Sequence, residues 1–124
     1  SYNYQYKTNY ISLIPARLYG PNDNYKKKES HVIPSLMTKF FLTKKNKINK
    51  VEIWGTGKPK REFLHVYDFA DFVISLIQKK IDPKILNVGS GTEITIKKLA
   101  FTLKEISQYN GKLIFNRSKP DGVV

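Results

Sequence analysis

The 124-residue sequence contains no cysteine. That excludes disulfides, thiolate metal sites and cysteine nucleophiles within it, and it fits a reducing cytoplasm. Apolar runs are short, and none approaches the ~20 residues a membrane span needs. Ser1-Tyr-Asn-Tyr-Gln-Tyr6 has neither the basic start nor the apolar run of a signal peptide. No group of His, Asp and Glu has metal-ligand spacing, so no metal is expected. Acidic residues are few, 10 against 22 Lys and Arg, giving a net charge of +12. Arginine is scarce too: only Arg17, Arg61 and Arg117.

What is present is lysine, aromatic residues and an ordinary apolar fraction of 40%. This is enough for one domain with a modest core, and too much for a disordered chain. The charge has two readings. A basic patch binds nucleic acid or a phosphorylated ligand. Alternatively, Lys, Asn and Ile are all frequent and share AT-rich codons, which makes the lysines a compositional drift on a solvated surface.

Along the chain, Ser1 to Thr8 reads as the tail of a helix. Residues 9–15 read as a strand leading into Ala16-Arg-Leu-Tyr-Gly-Pro21, a strand end that breaks at Gly20-Pro21. Asn22 to Ser30 is a polar loop. A helix follows, with Pro34 in its first turn and Val32, Ile33, Leu36, Phe40 and Phe41 as its apolar positions. The strand Val51 to Trp54 and the returning strand Glu62 to His65 flank the turn Gly55-Thr-Gly57. Asp68 is read as the cap of a helix running to about Lys80, with Phe69, Phe72, Val73, Leu76 and Ile77 inward. After a turn at Asp82-Pro83 come a strand, Ile85 to Val88, and a glycine turn, 89–91. A helix from Thr95 to Gln108 and a strand from Lys112 to Phe115 complete the order. The pattern is α/β. The first strand has no evident neighbour, so an exposed edge is expected there.

The most informative stretch is Trp54-Gly-Thr-Gly-Lys-Pro-Lys-Arg61-Glu-Phe-Leu-His65. Trp54 and Arg61 fall on either side of one turn. An indole offers a flat apolar face and a guanidinium a fork matched to phosphate. Together they suit a ligand that carries both a ring and a phosphate, such as a nucleotide-sugar.

Six segments occur in a telling order: Tyr19-Gly-Pro-Asn-Asp-Asn24, Ser30-His-Val-Ile-Pro34, Trp54-Gly-Thr-Gly57, Arg61-Glu-Phe-Leu-His-Val66, Asn87-Val-Gly89 and Ser118-Lys-Pro-Asp-Gly122. The chain from Ser1 to about Gly122 thereby resembles the C-terminal part of the GDP-L-fucose synthase family, extended short-chain dehydrogenase/reductases. The resemblance implies the end of an NAD(P)-binding Rossmann domain over residues 1–24. It also implies a smaller GDP-sugar-binding α/β part, incomplete at its C-terminus, over 25–124. It implies NADPH (NADP) as cofactor and conversion of a GDP-4-keto-6-deoxy-mannose to GDP-L-fucose by C3/C5 epimerisation and C4 reduction. A homodimer when full length is implied as well, with neither nucleic acid nor membrane as partner. The family's glycine fingerprint, Tyr-x-x-x-Lys pair and catalytic cysteine would lie upstream of Ser1, so the chain alone is expected to have no turnover.

The resemblance also assigns residues. His31 would be the catalytic acid of epimerisation and would lie beside the nicotinamide. Histidine suits that work, since its unperturbed pKa of ~6.5 lies near working pH. Pro15, Ala16, Arg17 and Leu18 would contact the nicotinamide end, although the family usually carries Asn at the position of Arg17. Val32, Leu36, Ile53 and Trp54 would line the substrate pocket. Lys39, where the family often has Arg, and Arg61 would hold the diphosphate, with Lys112 and Asp121 as further substrate contacts. His65 is read as structural. Two rivals stay open: another extended-family nucleotide-sugar epimerase or dehydratase, and a basic nucleic-acid-binding module with aromatic stacking platforms.

Overall fold

The computed structural model describes residues 2–26, 30–79 and 84–121. Its elements run α1 (Tyr2–Tyr6), β1 (Ser12–Pro15), β2 (Arg17–Tyr19), α2 (Val32–Lys45), β3 (Lys50–Trp54), β4 (Lys60–His65), α3 (Val66–Ile77), β5 (Ile85–Val88), β6 (Glu93–Thr95), α4 (Ile96–Ile106) and β7 (Lys112–Asn116). β1 pairs with β5, β2 with β4 and β3 with β7, all in parallel. Parallel neighbours need long crossover connections, usually helical, so the chain is an α/β fold. The expected turn at Asp82-Pro83, the helix end at Lys80 and the loop residues Lys27, Lys28 and Glu29 lie outside the described residues.

Two compact units make up the chain: Ser1–Gly20 with Glu62–Thr92, and Pro21–Arg61 with Glu93–Val124. The chain crosses between these units after residues 20, 61 and 92. Long-range parallel pairing returns the chain to a unit it has already left, and no local composition change marks that event.

In the first unit, Ser12, Leu13, Ile14 and Pro15 stand opposite Ile85, Leu86, Asn87 and Val88. The expectation that the first strand has no neighbour is thus corrected: its partner lies about seventy residues downstream. Arg17, Leu18 and Tyr19 pair with Phe63, Leu64 and His65. His65 is the N-cap of α3, its Nδ1 accepting from the Tyr67 N–H at 3.3 Å. Asp68 sits in the first turn, where its charge complements the helix dipole, and is not the cap. The apolar helix α3 buries none of its residues fully, and Ile77 is 80% exposed. Leu64 and Val88 are the unit's fully buried apolar side chains among the described residues.

The second unit holds most of the core. Alternation along β3 turns Val51 and Ile53 inward and Glu52 and Trp54 outward. α2 packs on β3 and α4. Its buried residues Ile33, Leu36, Phe40 and Thr43 recur at helical spacing, while Phe41 lies outward, one position off that stripe. Leu99 and Ala100 bury the facing side of α4. Tyr109 closes the unit, its ring edge-on to Phe40 at 5.7 Å and its hydroxyl donating to the Ile48 carbonyl at 2.7 Å. Thr95 caps α4 by accepting from the Lys98 N–H at 3.1 Å. β3 and β4, expected to flank the glycine turn as neighbours, each pair with other strands. The short strand β6 carries no signal that the sequence pattern revealed.

Candidate functional site

The second unit builds its site around Trp54, the last residue of β3 and 56% exposed. β3 runs straight into the glycine turn, which is held from three directions. The Gly55 N–H donates to the Asn116 carbonyl at 2.9 Å, extending the β3–β7 ladder. The Lys97 and Ile96 N–H groups at the start of α4 donate to Gly57 and Pro59 carbonyls at 2.8 and 3.0 Å. From the third side, Asp121 accepts from both the N–H and the hydroxyl of Thr56, the latter at 2.8 Å. These bonds to Thr56, side chain first, hold the Asp121 carboxyl below its usual range. Gly55 has φ +78, and a Cβ there would collide with Asp121 Oδ1. Only glycine allows both that backbone and that approach.

Lys39 reaches the same indole from α2. Its neighbours Leu36 and Phe40 face the core, which leaves Lys39 on the flank of the helix. Its ammonium donates to the Glu52 carbonyl at 3.0 Å and stands 5.5 Å from the Trp54 ring centre. On the C-terminal side, the Lys119 ammonium stands 5.6 Å from that ring. Two cations thus flank one exposed indole, each in cation–π range.

Arg61 begins the return from the turn. Its Nη1 donates to the Lys60 carbonyl at 2.7 Å, and its other guanidinium donors have no protein acceptor among the described residues. His31 is the exposed N-cap of α2 and its imidazole makes no capping hydrogen bond. Its carbonyl instead accepts from the Ser35 N–H at 2.9 Å. Val32 is half-buried beside it, whereas Leu36 and Ile53 are 4% and 1% exposed and belong to the core. Lys112 opens β7 opposite Lys50, while Trp54 stands opposite Asn116. The two ends of that ladder are roughly 13 Å apart at about 3.3 Å per residue, so Lys112 is not gathered around Trp54.

In the first unit, Pro15, Ala16, Arg17 and Leu18 span the step from β1 to β2. The Ala16 N–H donates to Val88 at 2.7 Å. Ile14, Pro15, Ala16, Val88 and Glu62 are among the walls of an open hollow of ≈ 440 Å³. Glu62 accepts from the Gly91 N–H at 2.6 Å, and Gly89 leaves room for it, since a Cβ there would meet its carboxylate. Arg17 is exposed and stands opposite Phe63. The hollow's lining mixes apolar side chains with Asn87 and the Glu62 carboxylate.

Sequence reading overlooked three of these residues: Thr56, Glu62 and Lys119. Lys119 lies inside the Ser118-Lys-Pro-Asp-Gly122 segment, and Glu62 follows Arg61, so the motifs contained both without showing what they touch. Among the described residues, no His, Asp and Glu group could hold a metal, and no helix is long and apolar enough to cross a membrane.

Residues 1–89 match the NAD dependent epimerase/dehydratase family, and the chain belongs to it. It is 47% identical over 122 residues to probable GDP-L-fucose synthase 1 of Oryza sativa subsp. japonica, covering 98% of this chain and 37% of that protein. It is 40% identical over 131 residues to the GDP-L-fucose synthase of Escherichia coli, covering 98% of this chain and 41% of that one. A GDP-L-fucose synthetase from Naegleria fowleri, solved with NADP bound, matches with a TM-score of 0.84 at 31% identity over 90% of this chain and 35% of that one. The chain is a homologue of GDP-L-fucose synthases and spans well under half of their length.

Proposed function

We propose that this chain supplies the GDP-sugar-binding side, and the epimerisation acid, of an NADPH-dependent enzyme that converts GDP-4-dehydro-6-deoxy-D-mannose to GDP-L-fucose. The observation that carries the reading is the exposed Trp54 ring flanked by lysines, with Arg61 on the same glycine turn. The indole packs against the sugar or ribose, and Lys39 and Arg61 hold the diphosphate. Binding energy from that distal end positions the sugar ring for reaction.

In this reading the C4 ketone acidifies the carbons beside it. His31, uncommitted at the start of α2, delivers a proton to the sugar carbon on one face after a base has removed one from the other. Pro15 to Leu18 contact the nicotinamide end of NADPH, Pro15 and Ala16 from the hollow that they help to line. The cofactor supplies the hydride for C4 reduction. Asp121 and Lys112 stand as substrate-side residues of the same reading, Asp121 through its hold on the turn.

Calorimetric titration of GDP into the purified chain tests this, with ATP, UDP and a DNA oligonucleotide as controls. Preferential GDP binding that Arg61→Ala abolishes supports it. A preference for UDP favours another nucleotide-sugar enzyme. Binding of DNA alone, weakening steeply with salt, favours the basic-module reading.

A further inference from the structure

We infer that Lys119 is a third phosphate-contacting cation of this site, sharing the ring of Trp54 with Lys39. The inference rests on the nucleotide-sugar reading and deepens it. Lys39 comes from α2 and Lys119 from the segment that follows β7, yet both ammoniums approach the ring of Trp54, at 5.5 and 5.6 Å. Two cations gathered at one exposed ring make a locally positive, partly apolar surface, which suits a ligand carrying both a ring and a diphosphate.

The segment that carries Lys119 is built to hold it in place. The Asn116 side chain accepts from the Ser118 N–H and hydroxyl at 3.1 and 2.6 Å, and the Lys119 N–H donates to the Asn116 carbonyl at 3.2 Å. Two residues on, Asp121 pins the segment to Thr56. Asn116 itself stands opposite Trp54 in the β3–β7 ladder. The bonds on both sides of Lys119 therefore refer its backbone to the same turn that presents the indole. Asp121 spends its carboxylate on this fastening, and its effect on ligand binding passes through Lys119. Asp121 is on this account a positioning residue.

Trp54 is the single tryptophan of the chain, so its fluorescence reports the site directly. The test titrates inorganic pyrophosphate and GDP into the purified chain and into Lys119→Ala, Lys119→Arg, Lys58→Ala and Arg61→Ala variants. Pyrophosphate should change the Trp54 emission. Lys119→Ala should weaken pyrophosphate and GDP binding roughly ten-fold, the loss of about one charge-assisted contact. Lys119→Arg should restore most of it, and Lys58→Ala, which changes a lysine on the same turn, should leave it intact. Far-ultraviolet circular dichroism of Lys119→Ala should match the parent.

Binding of pyrophosphate or GDP by Lys119→Ala at the parent's affinity overturns the inference. So does a parent chain whose Trp54 emission neither anion changes. Loss of GDP binding in Arg61→Ala with none in Lys119→Ala leaves the nucleotide-sugar reading standing and removes only Lys119. Lys119-dependent pyrophosphate binding without preference for GDP over ATP does the reverse.

Discussion

Asp121 takes both hydrogen-bond donors of Thr56, sixty-five residues earlier in the chain. One carboxylate thereby fastens the end of the described chain to the turn that presents Trp54. The chemistry of the proposed site depends on this join, because the residues that would meet the ligand arrive from α2, β3 and the segment after β7.

The Thr56 bonds stabilise the charged form of Asp121, so its carboxyl titrates below its usual range. A lowered folded pKa gives stability that is complete above the unfolded value of ~3.9 and is lost as pH falls through the folded value. The fastening should hold throughout neutral pH and release only in acid, below about pH 4. An acid titration followed by Trp54 emission should show this step in the parent chain and not in Asp121→Asn. The same step in both would detach it from Asp121.

Gly55→Ala should be costly for two separate reasons. The backbone at φ +78 strains any side chain, and the new methyl would collide with Asp121. A loss of about 1–3 kcal/mol is expected from the strain alone. Urea denaturation of the chain measures it. Gly91→Ala has a similar φ of +73 but no atom within 4 Å, so it should cost less.

Phe40 is 1% exposed and meets Tyr109 edge-on. Phe40→Ala should destabilise the second unit by about 3–5 kcal/mol, the usual range for deleting a buried aromatic ring. Tyr109→Phe removes only the bond to Ile48, with an expected loss of about 1 kcal/mol. Equal losses in the two variants would contradict this division between packing and hydrogen bonding.

Glu62 ties β4 to the glycine turn after β5 through the Gly91 N–H. Glu62→Ala should loosen that turn, with faster amide exchange at Gly91, and Glu62→Gln should restore most of the protection. Unchanged Gly91 exchange in Glu62→Ala would show that the turn is held by its own backbone.

Much of this was visible in the residues. The strand Val51 to Trp54 was legible, as was an indole hard to bury at its junction with the glycine turn, and Thr95 or Thr92 marked the start of the last helix. Pattern could not show which strands pair. Ser12 meets Ile85 through parallel pairing across a long crossover, and nothing local records it. Phe41 was assigned inward because a helical stripe read from sequence is uncertain by one residue, and Asp68 took the cap because a carboxylate is the commoner capping group than an imidazole. Lys119 stayed unnoticed because one lysine among nineteen carries no pattern. Its place beside Trp54 comes from a turn fastened by Asn116 and Asp121. His31 was the reverse case: the motif singled it out, while its place as the N-cap of α2, with no capping hydrogen bond from the imidazole, does not by itself mark it as reactive.

The most direct test of the central claim is a crystal structure of the chain with GDP. The account predicts GDP lying against Trp54 with its diphosphate contacted by Lys39, Arg61 and Lys119. GDP bound elsewhere on the chain, or a diphosphate held without any of these three, would contradict it.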